Sequence, residues 1–305
     1  MGSTAAAPRG LHPDRAQGLV RLSGRESLRQ HWPEYLMEAA ALGLFMISAG
    51  VITVLIAHPQ PWLRAHLTNP VWSRLIIGVA MGGTAMALIY SPWGRRSGAH
   101  MNPAVTLAFL RLGRIPPWDA LYYCLFQLLG GLAGVLVCAA VIGAPFTTSP
   151  VTYVVTVPGP HGALPALLLE GVIAMLMMGM IQALAPHARL ARYTGLCAGI
   201  LICAFVTVES PWSGFGMNPA RTLASALPSG VMTALWVYLI APPVGMLAVV
   251  EVIRRQPWHA VHCCKLHHAR QDWCIFCGHA WRDRLDALDG HAPGEDAMPR
   301  SQSGE

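Results

Sequence analysis

Ser97-Gly98-Ala99-His100-Met101-Asn102-Pro103-Ala104 and Ser213-Gly214-Phe215-Gly216-Met217-Asn218-Pro219-Ala220 carry one phrase, Ser-Gly-x-x-Met-Asn-Pro-Ala, written once in each half of a 305-residue chain. Asn is a good helix N-cap. Pro suits the first helical position, where its fixed φ helps and its missing N–H would be unpaired anyway. Each phrase therefore predicts a helix starting at the Asn-Pro step and preceded by non-helical chain. The apolar stretches that follow, 102–110 and 218–227, are about half of the roughly 20 residues that a membrane crossing needs.

Outward from these motifs lie six longer apolar stretches, at 38–57, 72–90, 120–142, 163–184, 193–208 and 231–253. The chain is 54% hydrophobic and 12% charged, with a mean hydropathy of +0.44. An ordinary soluble domain is about 25% charged. The expected fold is an all-α membrane protein with six transmembrane helices and two half-helices. Each half holds three spans, an odd number, so the second half enters from the opposite side. Such inverted repeats place a site at the membrane midplane, built on broken helices.

The half-helix N-termini then meet near the centre, each carrying about half a positive charge. That field repels cations while neutral molecules pass. Non-helical backbone inside a membrane is tolerated where it is buried or lines a wet cavity. The carbonyls of 97–101 and 213–217 are therefore expected to accept hydrogen bonds from solute, and the Asn102 and Asn218 amides to donate them.

Lys and Arg orient the chain. All but three of the 21 fall in the N-tail, the 91–116 and 186–192 loops and the C-tail, the exceptions being Arg64, Arg74 and Arg221. Both termini are thus expected in the cytoplasm, with the protein multi-pass in a cell (inner) membrane. The only Lys is Lys265, a bias towards Arg that fits a bacterial-type chain. Gly78 and Gly82, Gly130 and Gly134, and Gly195 and Gly199 stand four apart, the spacing that lets helix backbones approach closely. The predicted organisation is a cytoplasmic tail at 1–33, a channel domain at 34–253 and a cytoplasmic Cys/His-rich tail at 254–305. The end of that tail, rich in Gly, Asp, Pro and Ser, is expected to be disordered.

The paired motifs, the six-span inverted repeat and the paired Glu38 and Glu170 resemble the aquaporin, or major intrinsic protein, family over about residues 34–253. The resemblance implies an hourglass pore in each subunit of a homotetramer, in a lipid bilayer, passing water and small neutral solutes without a cofactor. It implies a motif set of Asn102, Pro103, Ala104, Asn218, Pro219 and Ala220. Glu38 and Glu170 match acids that brace the half-helix loops, and His100 matches a histidine on the cytoplasmic half of the pore. Arg221 matches the arginine of the outer constriction, whose other positions fall at Phe215, Val206 and Gly82, with Met81 the competing assignment to Gly82. Water-selective members place Phe and His in helices two and five. Glycerol-conducting members place Trp in helix two and Asp after the arginine. Gly or Met, Val, Phe and Arg followed by Thr222 fit neither pattern, and point to a less polar, wider and more permissive constriction.

Glu209 is expected in solvent near the outer mouth. In the tail, Cys264, His267, Cys274 and Cys277 have spacings compatible with a structural zinc, and the alternative is a loose basic tail. Cytoplasmic thiols stay reduced, so disulfides are not expected there. The rival classes are a facilitator of glycerol, urea, ammonia or a metalloid hydroxide, a coupled transporter and a membrane enzyme. Coupling calls for ionisable groups along the path, and Arg221 is the only obvious charge at pore depth besides the bracing acids. No nucleophile with a base is evident, and nothing points to nucleic acid.

Overall fold

The computed structural model describes residues 22–187, 189–255, 264–267 and 275–276, and among them there is no strand. In chain order the helices are α1 (Gly24–Ala57), α2 (Pro61–His66), α3 (Pro70–Tyr90), α4 (Pro92–Ser97), α5 (Pro103–Arg111) and α6 (Pro117–Ile142). The second half continues with α7 (Ala144–Thr147), α8 (Ala163–Leu184), α9 (Thr194–Ala204), α10 (Ser210–Ser213), α11 (Pro219–Ser229) and α12 (Leu235–Arg254). A π-helical turn, Phe205–Glu209, joins α9 to α10. Six segments are long and apolar enough to cross a membrane: α1, α3, α6, α8, the run Ala191–Ser213 and α12. The helices α5 and α11 are the two half-helices.

The first span begins at Gly24, inside the stretch expected to be tail. A capping box explains the early start. The Ser23 hydroxyl accepts from the Glu26 backbone N–H while the Glu26 carboxylate reaches back to the Ser23 N–H. This extension packs on the start of α6, where His31 Nδ1 and Tyr35 Oη each lie 2.6 Å from Asp119 Oδ1.

The glycine pairs mark the places where helix backbones touch. A Cβ on Gly130 would stand 2.0 Å from the Ala39 carbonyl of α1, and one on Gly82 would stand 2.2 Å from the Gly199 carbonyl of α9. At such distances only glycine fits, and the approach replaces the hydrophobic drive that lipid removes. The contacts α1 with α6, α8 with α12 and α3 with α9 knit the six spans together.

The fifth span expected at 193–208 is broken by the π turn. There Arg74 of α3 donates through Nε to the Thr207 carbonyl at 3.0 Å. The turn frees a carbonyl that the charged side chain takes up, which is how such bulges are satisfied inside a membrane.

Candidate functional site

The two motif loops have one conformation. Gly98 and Gly214 stand at φ +107° and +87°, Ala99 and Phe215 at +54° and +57°, and Met101 and Met217 both at +48°. Left-handed backbone at a non-glycine residue costs roughly 1–2 kcal/mol, so something must hold four such residues in place. Glu38 and Glu170 do so. Glu38 accepts from the Ser97 hydroxyl at 2.7 Å, the His100 N–H at 3.0 Å, the Met101 N–H at 2.6 Å and the Gln127 amide at 2.9 Å. Glu170 accepts from the Ser213 hydroxyl at 2.7 Å, the Gly216 N–H at 2.5 Å and the Met217 N–H at 2.6 Å. Hydrogen bonds to a charged group are worth roughly 1.5–3 kcal/mol each, enough to offset the strain.

Two tyrosines complete the braces. Tyr123 Oη of α6 donates to the Ser97 carbonyl at 2.6 Å, and Tyr238 Oη of α12 donates to the Ser213 carbonyl at 2.5 Å. Neither was singled out from sequence, nor was Gln127. Aligning the halves would have exposed the tyrosines, because each sits in the span that follows its half-helix.

The half-helices meet head to head. Each motif Asn caps its own helix, Asn102 Oδ1 accepting from the Ala104 N–H at 2.8 Å and Asn218 Oδ1 from the Ala220 N–H at 3.1 Å. Their amides cross: Asn102 Nδ2 donates to the Met217 carbonyl at 2.8 Å, and Asn218 Nδ2 to the Met101 carbonyl at 2.7 Å. A carboxamide has two N–H protons, so each Asn keeps a second one for another acceptor. Of the carbonyls expected to face solute, those of Ser97, Gly98, Met101, Ser213 and Met217 are engaged within the protein.

Around this junction lies a cavity of about 90 Å³. Apolar faces of α1, α3, α8 and α9 line it, among them Phe45, Ala85 and Ile202, with His100, Asn102, Asn218 and Arg221 as polar points. Arg221 Nη1 donates to the Thr156 hydroxyl, so a buried residue of the α7–α8 connection, unflagged in the sequence, positions the guanidinium. His100 stacks on Phe109 at 4.6 Å and places Nδ1 3.2 Å from the Thr106 hydroxyl.

The other sequence-derived positions divide. Phe215 and Arg221 line the cavity. Val206 is buried in the π turn beside Phe205, whose ring stands 6.2 Å from that of Phe215. Gly82 faces α9, not the cavity, because its missing side chain is what admits the Gly199 carbonyl. Met81 lies on the α3 face that carries Ala85 and Ile89 into the cavity. Glu209, expected in solvent, is 7% exposed, and neither carboxylate oxygen has a hydrogen-bond partner among the described residues. Of the suggested zinc ligands, Cys264 and His267 are described, while Cys274 and Cys277 lie outside the described residues.

The model of the Major intrinsic protein family matches residues 26–251. The chain belongs to that family. Among similar proteins of the family are the probable aquaporin NIP-type of Nicotiana alata, 36% identical over 174 residues that make up 56% of this chain and 62% of that one. Aquaporin NIP2-2 of Zea mays is 38% identical over 180 residues, 58% of each chain. The chain thus spans about three fifths of the length of the curated relatives it matches. The X-ray structure of the aquaglyceroporin from Plasmodium falciparum shares the fold at 18% identity. Its TM-score is 0.62, and the match covers 74% of this chain and 96% of that one.

Proposed function

We propose that this chain is a passive channel for water and other small uncharged solutes, closed to ions and protons. The observation that carries the reading is the crossed pair of Asn102 and Asn218 amides at the junction of two opposed half-helix N-termini. A solute oxygen arriving there meets two spare N–H protons and a positive field from both sides. A cation meets the same field and the Arg221 guanidinium, with no carboxylate among the described residues lining the cavity to compensate. A neutral molecule loses little. Arg221 is the one fixed charge among the described residues of that lining, which favours passive passage over ion coupling.

The constriction is assigned to Met81, Val206, Phe215 and Arg221. A flexible thioether, two apolar walls and one donor make a permissive filter, which supports passage of glycerol- or urea-sized solutes beside water. The distribution of Lys and Arg supports a cytoplasmic side carrying the start of α1 and the end of α12, in a cell inner membrane. The resemblance supports a homotetramer and transport without a cofactor. A structural zinc on Cys264, His267, Cys274 and Cys277 remains a proposal for the tail, tested by metal content of the purified chain with and without chelator.

The channel reading is tested in proteoliposomes by stopped-flow light scattering. Vesicles holding the full chain are expected to shrink faster than empty ones in an impermeant osmolyte, and to re-swell with glycerol or urea. Shrinkage at the rate of empty vesicles, by the full chain and by a chain ended after Arg255 alike, contradicts the channel. Fast shrinkage without re-swelling contradicts the permissive filter alone.

A further inference from the structure

The segment 264–267 lies far along the chain from the half-helices, yet it is packed into the mouth of the cavity on the side that carries Arg95 and Gly98. Cys264, Lys265 and Leu266 are 3%, 0% and 5% exposed. Lys265 Nζ donates to the Arg95 carbonyl at 2.7 Å, and the Leu266 N–H donates to the Gly98 carbonyl at 3.1 Å. His100 Nε2 stands 3.2 Å from the Cys264 carbonyl. A carbonyl can only accept, so this nitrogen carries the proton. Leu266 is itself a wall of the cavity that Asn102 and Asn218 line. On the outer flank His267 meets the edge of Tyr90 at 5.1 Å.

We infer that 264–267 is an internal plug that shuts the proposed pore on this side by occupying the place and the hydrogen bonds of solute. The inference rests on the channel reading. Two groups that a passing solute would use, the Gly98 carbonyl and the His100 Nε2–H, are taken by plug backbone. The Leu266 side chain, an apolar group with nothing to offer water, lines the lumen next to them. Among the described residues the segment is not helical, and it meets the bundle through the Arg95, Gly98 and His100 hydrogen bonds and the burial of Cys264 and Leu266. The Lys265 ammonium, buried and donating to the Arg95 carbonyl, is the contact that fastens the segment to the mouth of the cavity. On this inference the tail sets the conducting fraction.

The test compares the full chain, Leu266→Ala and a chain ended after Arg255, each reconstituted at equal density, by stopped-flow light scattering. If the plug holds about nine tenths of pores shut, releasing it raises water permeability about tenfold. Equal, fast rates in all three overturn the plug and leave the channel standing. Empty-vesicle rates in all three, with circular dichroism showing folded protein, overturn both.

A second readout does not depend on conduction. In a chain with Cys263, Cys274 and Cys277 changed to Ser, Cys264 is expected to react slowly with a polar maleimide and at least about tenfold faster when Lys265→Ala is added, in line with a buried thiol becoming exposed. Fast labelling before Lys265 is changed overturns the plug.

Discussion

At the residue scale, most of the chemistry rests on two buried carboxylates in support and one that is out of place. Glu170 accepts from one hydroxyl and two backbone N–H groups, so Glu170→Gln turns an amide N–H toward donors that need an acceptor. The expected loss is roughly 2–3 kcal/mol, read as a lower melting temperature in detergent together with lower water flux. An unchanged melting temperature contradicts the bracing role. Glu209 is the opposite case. Its carboxylate is buried without a partner among the described residues, while Ser213 gives its proton to Glu170. Neutralising an unpaired buried charge removes a desolvation penalty. Glu209→Gln should therefore leave the melting temperature unchanged or raise it, by about 1 kcal/mol of stability. A clear drop would mean the carboxyl finds a partner outside the subunit. The supporting acids were legible because Glu38 and Glu170 occupy matching places in the repeat. The burial of Glu209 was not, since nothing in sequence announces a π turn that draws the residue inward.

At the element scale, helix periodicity and the Asn-Pro starts were readable, and α8 spans the 163–184 predicted for it. What local pattern could not show was which face of α3 turns inward. The family resemblance put Gly82 in the constriction, with Met81 competing, whereas the helix spends that glycine on contact with α9. The consequence is measurable. Gly82→Leu should force α3 and α9 apart, costing at least roughly 1–3 kcal/mol and lowering the yield of folded protein. Met81→Ala should leave the melting temperature within about 1 kcal/mol and speed re-swelling in glycerol. A stable, glycerol-tight Gly82→Leu would restore Gly82 to the pore wall. The start of α1 was also misjudged. Composition marks Gly24–Pro33 as polar tail, but its cap and the Asp119 contacts carry the helix out beyond the apolar span.

At the scale of the whole molecule, the inverted repeat organises everything else: paired acids, paired tyrosines, paired left-handed loops and crossed asparagines. Repetition made this architecture visible, because chance does not write an eight-residue phrase with six shared positions twice in opposed halves. The tail at 264–267 has no counterpart in the repeat, and its Cys and His read as metal chemistry. Its position at the cavity mouth emerged only from the folded chain.

The proposed pore passes neutral molecules and refuses charge at the half-helix junction. The direct measurement loads vesicles with a pH-sensitive dye, reconstitutes the chain ended after Arg255, and follows light scattering and dye signal under an osmotic step and an imposed pH gradient. The expected result is protein-dependent water flux with a proton leak equal to that of empty vesicles. Water flux no faster than in empty vesicles, or a dye response that rises along with it, contradicts it.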